Sequence, residues 1–406
     1  MNHLSAAATG MLALALAATP LCAEGKYGPG ASDTEVKIGQ TMPFSGPLAA
    51  LSVEGKVEQA YIRMINDKGG VGGRKIMLLA RDDAYSPAKA VEETRKLVEA
   101  DEVLGMFGSF GTSTNLAVRK YLNAKHVPQL MVVSGVSAWD SPDLPWSMSF
   151  LAPDAGEGAA FATYLLKEKP NAKVAVLYQN DDLGKEYLDG FRKTLGDRAD
   201  AMVVKQELYN VSDPSVDTQI VSLQASGADT FYVVATGKFG LLALRKTYDI
   251  GWKPQILLIG PESGLKSVMN PLGPEKSIGA ISTSWLKDPG EAQWADDKDV
   301  AAYREFMKTY ASDLDPNDQW PAYGYIAGEL MVKLIERCGN ELTRENLMKQ
   351  ATSLAGVTLP LMRPGTSLNN NAQVRDPVDE FQVVRFDGKS WGPTGETFRV
   401  AGSGTR

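Results

Sequence analysis

The stretch Gly105 to Tyr121, GMFGSFGTSTNLAVRKY, runs from a short apolar segment through glycines and hydroxyls into a helical pattern. The backbone amides of Gly108 to Thr112 and the hydroxyls of Ser109 and Thr112 suit an anion, because a helix start carries unpaired N–H groups and the positive end of the dipole. No lysine or arginine occurs before Arg119. Phosphate-rich cofactors recruit a lysine and often Mg²⁺, so the loop points to one small carboxylate. An ordinary Ser/Thr helix cap is the bland alternative. A second cluster, SGVSAW from Ser134 to Trp139, follows the next β-rich run, and two such loops side by side favour a convergent carboxylate site.

Other chemistries fit less well. The two histidines are His3 and His126, and His126 in NAKHVPQ reads as a helix-terminal residue. A zinc site needs three or four N or S ligands, which one His and one Cys beyond the N-terminal segment do not supply. GKSWG, Gly388 to Gly392, matches a nucleophile-elbow pattern, but it lies in a terminal hairpin with no histidine after it. The pairs Asp82-Asp83 and Asp181-Asp182 could hold a cation or act as acid and base; capping of the next helix is the simpler reading, with Asp182 expected to line a cleft. Phe44, Leu51, Tyr85, Phe110, Trp139, Leu183 and Thr236 fall at expected loop or strand ends and would supply an apolar and aromatic lining. Glu262 in IGPESG is placed to meet a cationic group, or else is a solvated loop residue.

The elements that position these residues alternate. VKIGQTM, KIMLLARDD, VLGMFG and PQLMVVSG read as strands, separated by helical patterns such as PAKAVEETRKLVEA and TSTNLAVRKYLNA. After the proline-rich WDSPDLPWSMSFLAPD the pattern restarts with AKVAVLYQND, MVVKQELY, DTFYVVA and PQILLIG. Short connections between alternating elements predict parallel strands with right-handed helical crossovers, and therefore two doubly wound α/β units. A helical, alanine-rich region follows from about 295 to 350, and Asp387-Gly388 marks a hairpin near the end. Ligands of open α/β sheets bind outside the strand carboxyl ends, so the function belongs in the loops named above.

With 406 residues, 44% hydrophobic and 22% charged, the chain is long enough for two packed domains. A net charge of −7 with interspersed signs argues against nucleic-acid binding. Residues 1–23, MNHLSAAATGMLALALAATPLCA, hold no charged side chain and read as a signal peptide, too short in apolar length to span a bilayer. Leu21 stands where a small residue would precede a lipidated Cys22, so a lipoprotein anchor is the lesser reading. Removal of the leader leaves Cys338 alone, with no intrachain disulfide possible. No later segment reads as a membrane span, so the mature chain is expected to be soluble outside the cytoplasm.

VKIGQTMPFSGPLA, INDKGGVGGRKI, DDAYSPAKAVEETRKLVE, GSFGTSTN, KVAVLYQNDDLGKEY and QIVSLQASGADTFYVVA, in that order, resemble the periplasmic substrate-binding proteins of branched-chain amino-acid-type ABC transporters. The resemblance implies a type I periplasmic binding protein fold, α/β throughout, with two doubly wound lobes joined by a three-stranded hinge that closes on ligand. It divides the chain into 34–147 with 283–376 and 148–282 with 377–400. It also implies a ligand-binding set: Ser109 and the Gly108, Phe110, Gly111, Thr112 loop for a carboxylate, Val136 and Ser137 for the head group, and Glu262 for an ammonium. Together these features favour an apolar or branched-chain amino acid; Leu51, Leu183 and Thr236 depart from the pattern, standing where leucine-type binders carry tyrosines, which enlarges the apolar end of the pocket and makes an aromatic or other organic acid the alternative. The implied partners are the ligand and ABC permease subunits. The location implied is the periplasm and the state a monomer, with no cofactor, metal or catalysis. A ligand-sensing module is the rival class.

Overall fold

Residues 25–400 are described by the computed structural model; the expected leader, with Cys22 and His3, lies outside them. The strand Glu35–Met42 is buried along most of its length, as a central parallel strand must be when helices cover both faces. It pairs in parallel with Lys75–Asp82 on one side and Gly105–Phe107 on the other. Gln129–Val132 and Ser147–Ser149 complete a five-stranded parallel sheet. In this order the second strand lies outside the first and the third lies on its other side. The chain therefore reverses direction across the sheet between Glu35–Met42 and Gly105–Phe107.

The same winding recurs. Val203–Tyr209, Val174–Gln179, Thr230–Val234, Gln255–Leu258 and Ile281–Ser284 lie side by side and parallel, and the hairpin Glu380–Phe386 with Trp391–Arg399 adds two antiparallel strands. Thr230–Val234, TFYVV, is buried at every position. Here the reversal falls between Val174–Gln179 and Thr230–Val234. The fold is therefore a pair of doubly wound α/β lobes.

The chain passes between the two sheets three times: after Ser149, after Ser284 and before Glu380. Arg375 pins the third crossing to the first lobe. Its side chain, 1% exposed, donates to the carbonyls of Ser147 and Ser141, each at 2.9 Å, and of Trp139. Arg363 ties the second crossing by donating to Ser284 Oγ at 2.9 Å and to the Leu286 carbonyl at 3.1 Å.

The helix Gln319–Cys338 is buried along most of its length, with Asp318 capping its start through the Trp320 N–H. It packs on Val53–Asp67, and Gly324 and Gly328 permit the close approach: a Cβ at Gly324 would stand 2.4 Å from the Glu54 carbonyl oxygen. Cys338 is free and buried. No helix among the described residues is long and apolar enough to cross a membrane.

Candidate functional site

Both sheet reversals open onto one cavity between the lobes. Leu48, Leu51, Tyr85, Phe110, Gly111, Thr112 and Val133 line it from the first lobe, and Leu183, Tyr187, Thr236, Ile259 and Pro261 from the second. Leu151 and Asp154 come from the first crossing, and Trp320 from the helix behind. The lobes meet closely enough that the cavity encloses about 30 Å³. A larger cavity of about 220 Å³ adjoins it, sharing Leu48, Leu51 and Trp320 and reaching Leu241, Glu262, Val268 and Asp318. A further cavity of about 760 Å³ lies between the helix Asp154–Glu168 and the terminal hairpin, away from both reversals. Ligands of doubly wound sheets sit at the reversal, which selects the inter-lobe cavity as the candidate site.

The first-lobe wall is held by short-range bonds that its sequence dictates. Asp82 Oδ1 accepts from the Ala84 N–H at 3.0 Å, and Asp83 Oδ1 from the Tyr85 N–H at 2.8 Å. These turns hold Ala84 and Tyr85 at φ 53° and 57°, a left-handed conformation that non-glycine residues rarely adopt. Asp82 also receives Ser45 Oγ at 2.7 Å and Lys89 Nζ at 2.8 Å, joining the loops after the first two strands. The paired aspartates are thus structural, and burial pushes Asp83 up to about 6. Tyr85 rests against Gly111, with its phenol beside Ser113 and Gln179 of the other lobe.

The glycine and hydroxyl loop is arranged differently from the anion cradle expected of it. Its N–H groups at Gly108, Phe110 and Gly111 donate to the carbonyls of Leu130, Thr41 and Val133, extending the sheet. Ser109 Oγ accepts from the Thr41 N–H at 3.1 Å, so this hydroxyl faces the neighbouring strand and does not line the cavity. Gly108, at φ 60°, lies where a side chain would strike the Glu58 carboxylate. Thr112 does reach the cavity, its hydroxyl 2.8 Å from that of Ser134. The helix Thr112–Ala124 begins there with no side chain capping it, and the first N–H groups of a helix have no intrahelical partner.

Of the other residues expected from sequence, Leu51, Tyr85, Phe110, Gly111, Leu183 and Thr236 join Thr112 in the lining, and Phe44, Val136, Ser137, Asp182 and Glu262 do not. Phe44 is half-buried against the first-lobe core, and Val136 packs with Val132 and Trp139. Ser137 is exposed and turned toward Glu186 of the second lobe. Asp182 points to solvent, because the preceding residue takes the capping position: Asp181 Oδ1 accepts from the Gly184 N–H at 3.3 Å. Glu262 lines the adjoining cavity, where its Oε1 accepts from the Gly237 N–H at 2.7 Å. Burial holds its carboxyl well above the usual range, against the pull of that bond. His126 follows the helix Thr112–Ala124 as expected and stacks on Trp146 with centroids 4.9 Å apart.

Several lining residues were not anticipated. Asp154 follows Pro153 ahead of the helical AGEGAAF, a helix-start signal that could have marked it. Pro261 is adjacent to the expected Glu262. Trp320 carries no local signal; it arrives because its helix runs behind the cleft, edge-on to Phe110 at 5.6 Å. Behind the lining, Gln179 joins Tyr209, Thr236 and Asp181: Tyr209 Oη donates to its Oε1 at 2.9 Å, Thr236 Oγ1 at 2.5 Å, and its Nε2 donates to Asp181 Oδ2 at 2.6 Å.

A model of the family described as periplasmic binding protein matches residues 35–389. A Leu/Ile/Val-binding protein homolog 7 of Brucella abortus (strain 2308) is 27% identical over 238 residues, which are 56% of this chain and 59% of the relative. The match thus spans about three-fifths of the length of that curated relative. A branched chain amino acid ABC transporter structure from Thermus thermophilus with bound valine superposes with a TM-score of 0.81 at 16% identity, covering 91% of this chain and 98% of the other. An R. palustris ABC transporter solute binding protein in complex with benzoate gives 0.74 at 20% identity, covering 90% and 97%.

Proposed function

This chain belongs to the periplasmic binding protein family, and on that premise we propose that it is the extracytoplasmic solute receptor of an ABC importer. In this reading it captures a small carboxylate-bearing molecule, an apolar or branched-chain amino acid, in the inter-lobe cleft and hands it to membrane permease subunits. The observation that carries the reading is the cavity shared by both sheet reversals, with an uncapped helix start on one wall and aliphatic and aromatic side chains on most of the others. A helix start stabilises a carboxylate without a lysine, and the apolar walls suit a hydrocarbon side chain. A volume of about 30 Å³ holds about one water, so the lobes must part to admit a ligand.

The two-lobe division at 34–147 with 283–376 and 148–282 with 377–400 belongs to this proposal, as do a monomeric state, periplasmic location after export through residues 1–23, and a role without catalysis. The valine bound by the Thermus protein and the names of the Brucella relatives support the amino-acid ligand. Leu51, Leu183 and Thr236 in the lining, together with the benzoate of the R. palustris protein, favour an aromatic or other organic acid as the second reading. Thermal-shift screening against amino acids, aromatic acids and short organic acids tests the proposal, because a ligand that binds only the folded state raises Tm. Absence of a shift with every carboxylate, or chemical turnover of one, would sink it.

A further inference from the structure

Among the described residues, Asp154 is the one charged side chain that lines the cavity of about 30 Å³ at the two reversals. It is 1% exposed, and its Oδ2 has no hydrogen-bond partner. It cannot easily turn away. Its N–H donates to the Gly135 carbonyl of the first lobe at 2.8 Å while it begins the second-lobe helix Asp154–Glu168, and a Cβ at Gly135 would stand 2.3 Å from its Oδ1. The carboxyl groups that act on it most are Glu157 on its own helix, Glu186 on the helix Asp182–Leu195, Asp181 in the loop before that helix, and Asp376 on the third crossing, and the phenols of Tyr187 and Tyr232 also feel it. A buried carboxylate left without a cation or donor is strongly unfavourable, so the wall calls for a positively charged donor.

Resting on the cleft's being the ligand site, we propose that Asp154 is the anchor for a protonated amine on the ligand, a role the resemblance had given to Glu262. Burial, then the neighbouring carboxylates, hold its carboxyl well above the usual range while the cleft is empty, which favours its protonated form. An entering ammonium donates to the carboxylate oxygens, and the proton formerly on Asp154 leaves to water. The ligand keeps all its own protons, so the balance is up to one proton released for each ligand bound. Because Asp154 contacts both lobes, this pairing also acts on the hinge itself.

Calorimetric titration of the full chain with L-leucine, its deaminated acid isocaproate and its decarboxylated amine isoamylamine, in buffers of different ionisation enthalpy, tests the anchor. Both amine-bearing probes are expected to release protons as they bind, up to one each, and to bind more tightly as pH rises. Asp154→Asn should weaken both by at least roughly tenfold and isocaproate by much less. The Tm of the unliganded variant should equal or exceed that of the wild type, since the amide replaces a buried acid. Isocaproate binding as tightly as L-leucine, no proton release with the amines, or amine affinities within about twofold in Asp154→Asn would each overturn the anchor. Isoamylamine binding that depends on Asp154, without isocaproate binding, upholds the anchor and sinks the carboxylate part of the proposed function. The reverse pattern sinks the anchor and keeps that part.

Discussion

Ser137 of the first lobe donates both its N–H and its hydroxyl to Glu186 Oε1 on the second, at 3.3 and 2.5 Å. The pair is a direct polar bridge across the cleft, at the surface, outside the cavity. Bonds formed only when the lobes are together stabilise the closed state. Being exposed, this one contributes about 0.5–1 kcal/mol. Glu186→Ala is therefore expected to speed release of a thermal-shift ligand by about 2–5-fold, with little change in Tm. Stopped-flow dissociation checks it, and an unchanged off-rate would remove Ser137 and Glu186 from the closure mechanism.

Gly111 is expected to tolerate no side chain. At φ 100° it occupies a region that L-residues rarely enter, and a Cβ there would approach Tyr85 Cε2 to 2.4 Å. Gly111→Ala should lower unfolding free energy by about 1–3 kcal/mol. Adding Tyr85→Ala removes the clash and leaves the backbone strain, so the double variant should lose less than the sum of the two singles. Chemical denaturation of the four proteins gives the coupling directly, and strict additivity would show that the ring does not determine this residue.

Stability should fall as pH rises from the ordinary carboxylate range to about 7. Burial pushes Glu157 up to about 7, against the N–H of Gly260 and the hydroxyl of Tyr187, and it pushes Asp288 up to about 7, against the N–H groups of Leu265 and Gly290. A carboxyl whose folded pKa is raised binds more protons folded than unfolded, so stability is highest below the unfolded pKa and is lost as pH climbs through the folded one. Each such group removes on the order of 3–4 kcal/mol across this window. Urea unfolding at stepped pH should show the decline, and Glu157→Gln should flatten it. A slope unchanged in that variant would contradict the assignment.

Trp320 is 4% exposed and, with Leu48 and Leu51, lines both inter-lobe cavities. Trp320→Ala is expected to destabilise the chain by about 3–5 kcal/mol and to join the spaces of about 30 and 220 Å³. Ligands with longer apolar tails should then gain affinity relative to short ones. A calorimetric series of straight-chain amino acids measures this, and an unchanged order of preference would mean that Trp320 is not a boundary of the site.

The sequence by itself determined the alternation of strands and helices, the restart of the pattern after WDSPDLPWSMSFLAPD, and the rule that function sits in the loops after strands. Each follows from local periodicity and from the geometry of parallel sheets. Leu51, Tyr85, Phe110, Gly111, Thr112, Leu183 and Thr236 stand out in the sequence from their places near strand ends, and all of them line the cavity.

Side-chain direction was decided by tertiary structure. Ser109 turns to Thr41 because the loop continues the sheet's hydrogen bonding, and Asp181 takes the helix cap, sending Asp182 to solvent. In both cases neighbouring residues face opposite ways, and one residue of register separates lining from surface. Trp320 and Asp154 reach the site from a helix and a crossing far from the loops in sequence. Only the packing of two lobes against three crossings brings an acid with an unpartnered oxygen and an uncapped helix start to one cavity, because that juxtaposition depends on long-range burial that no local pattern encodes.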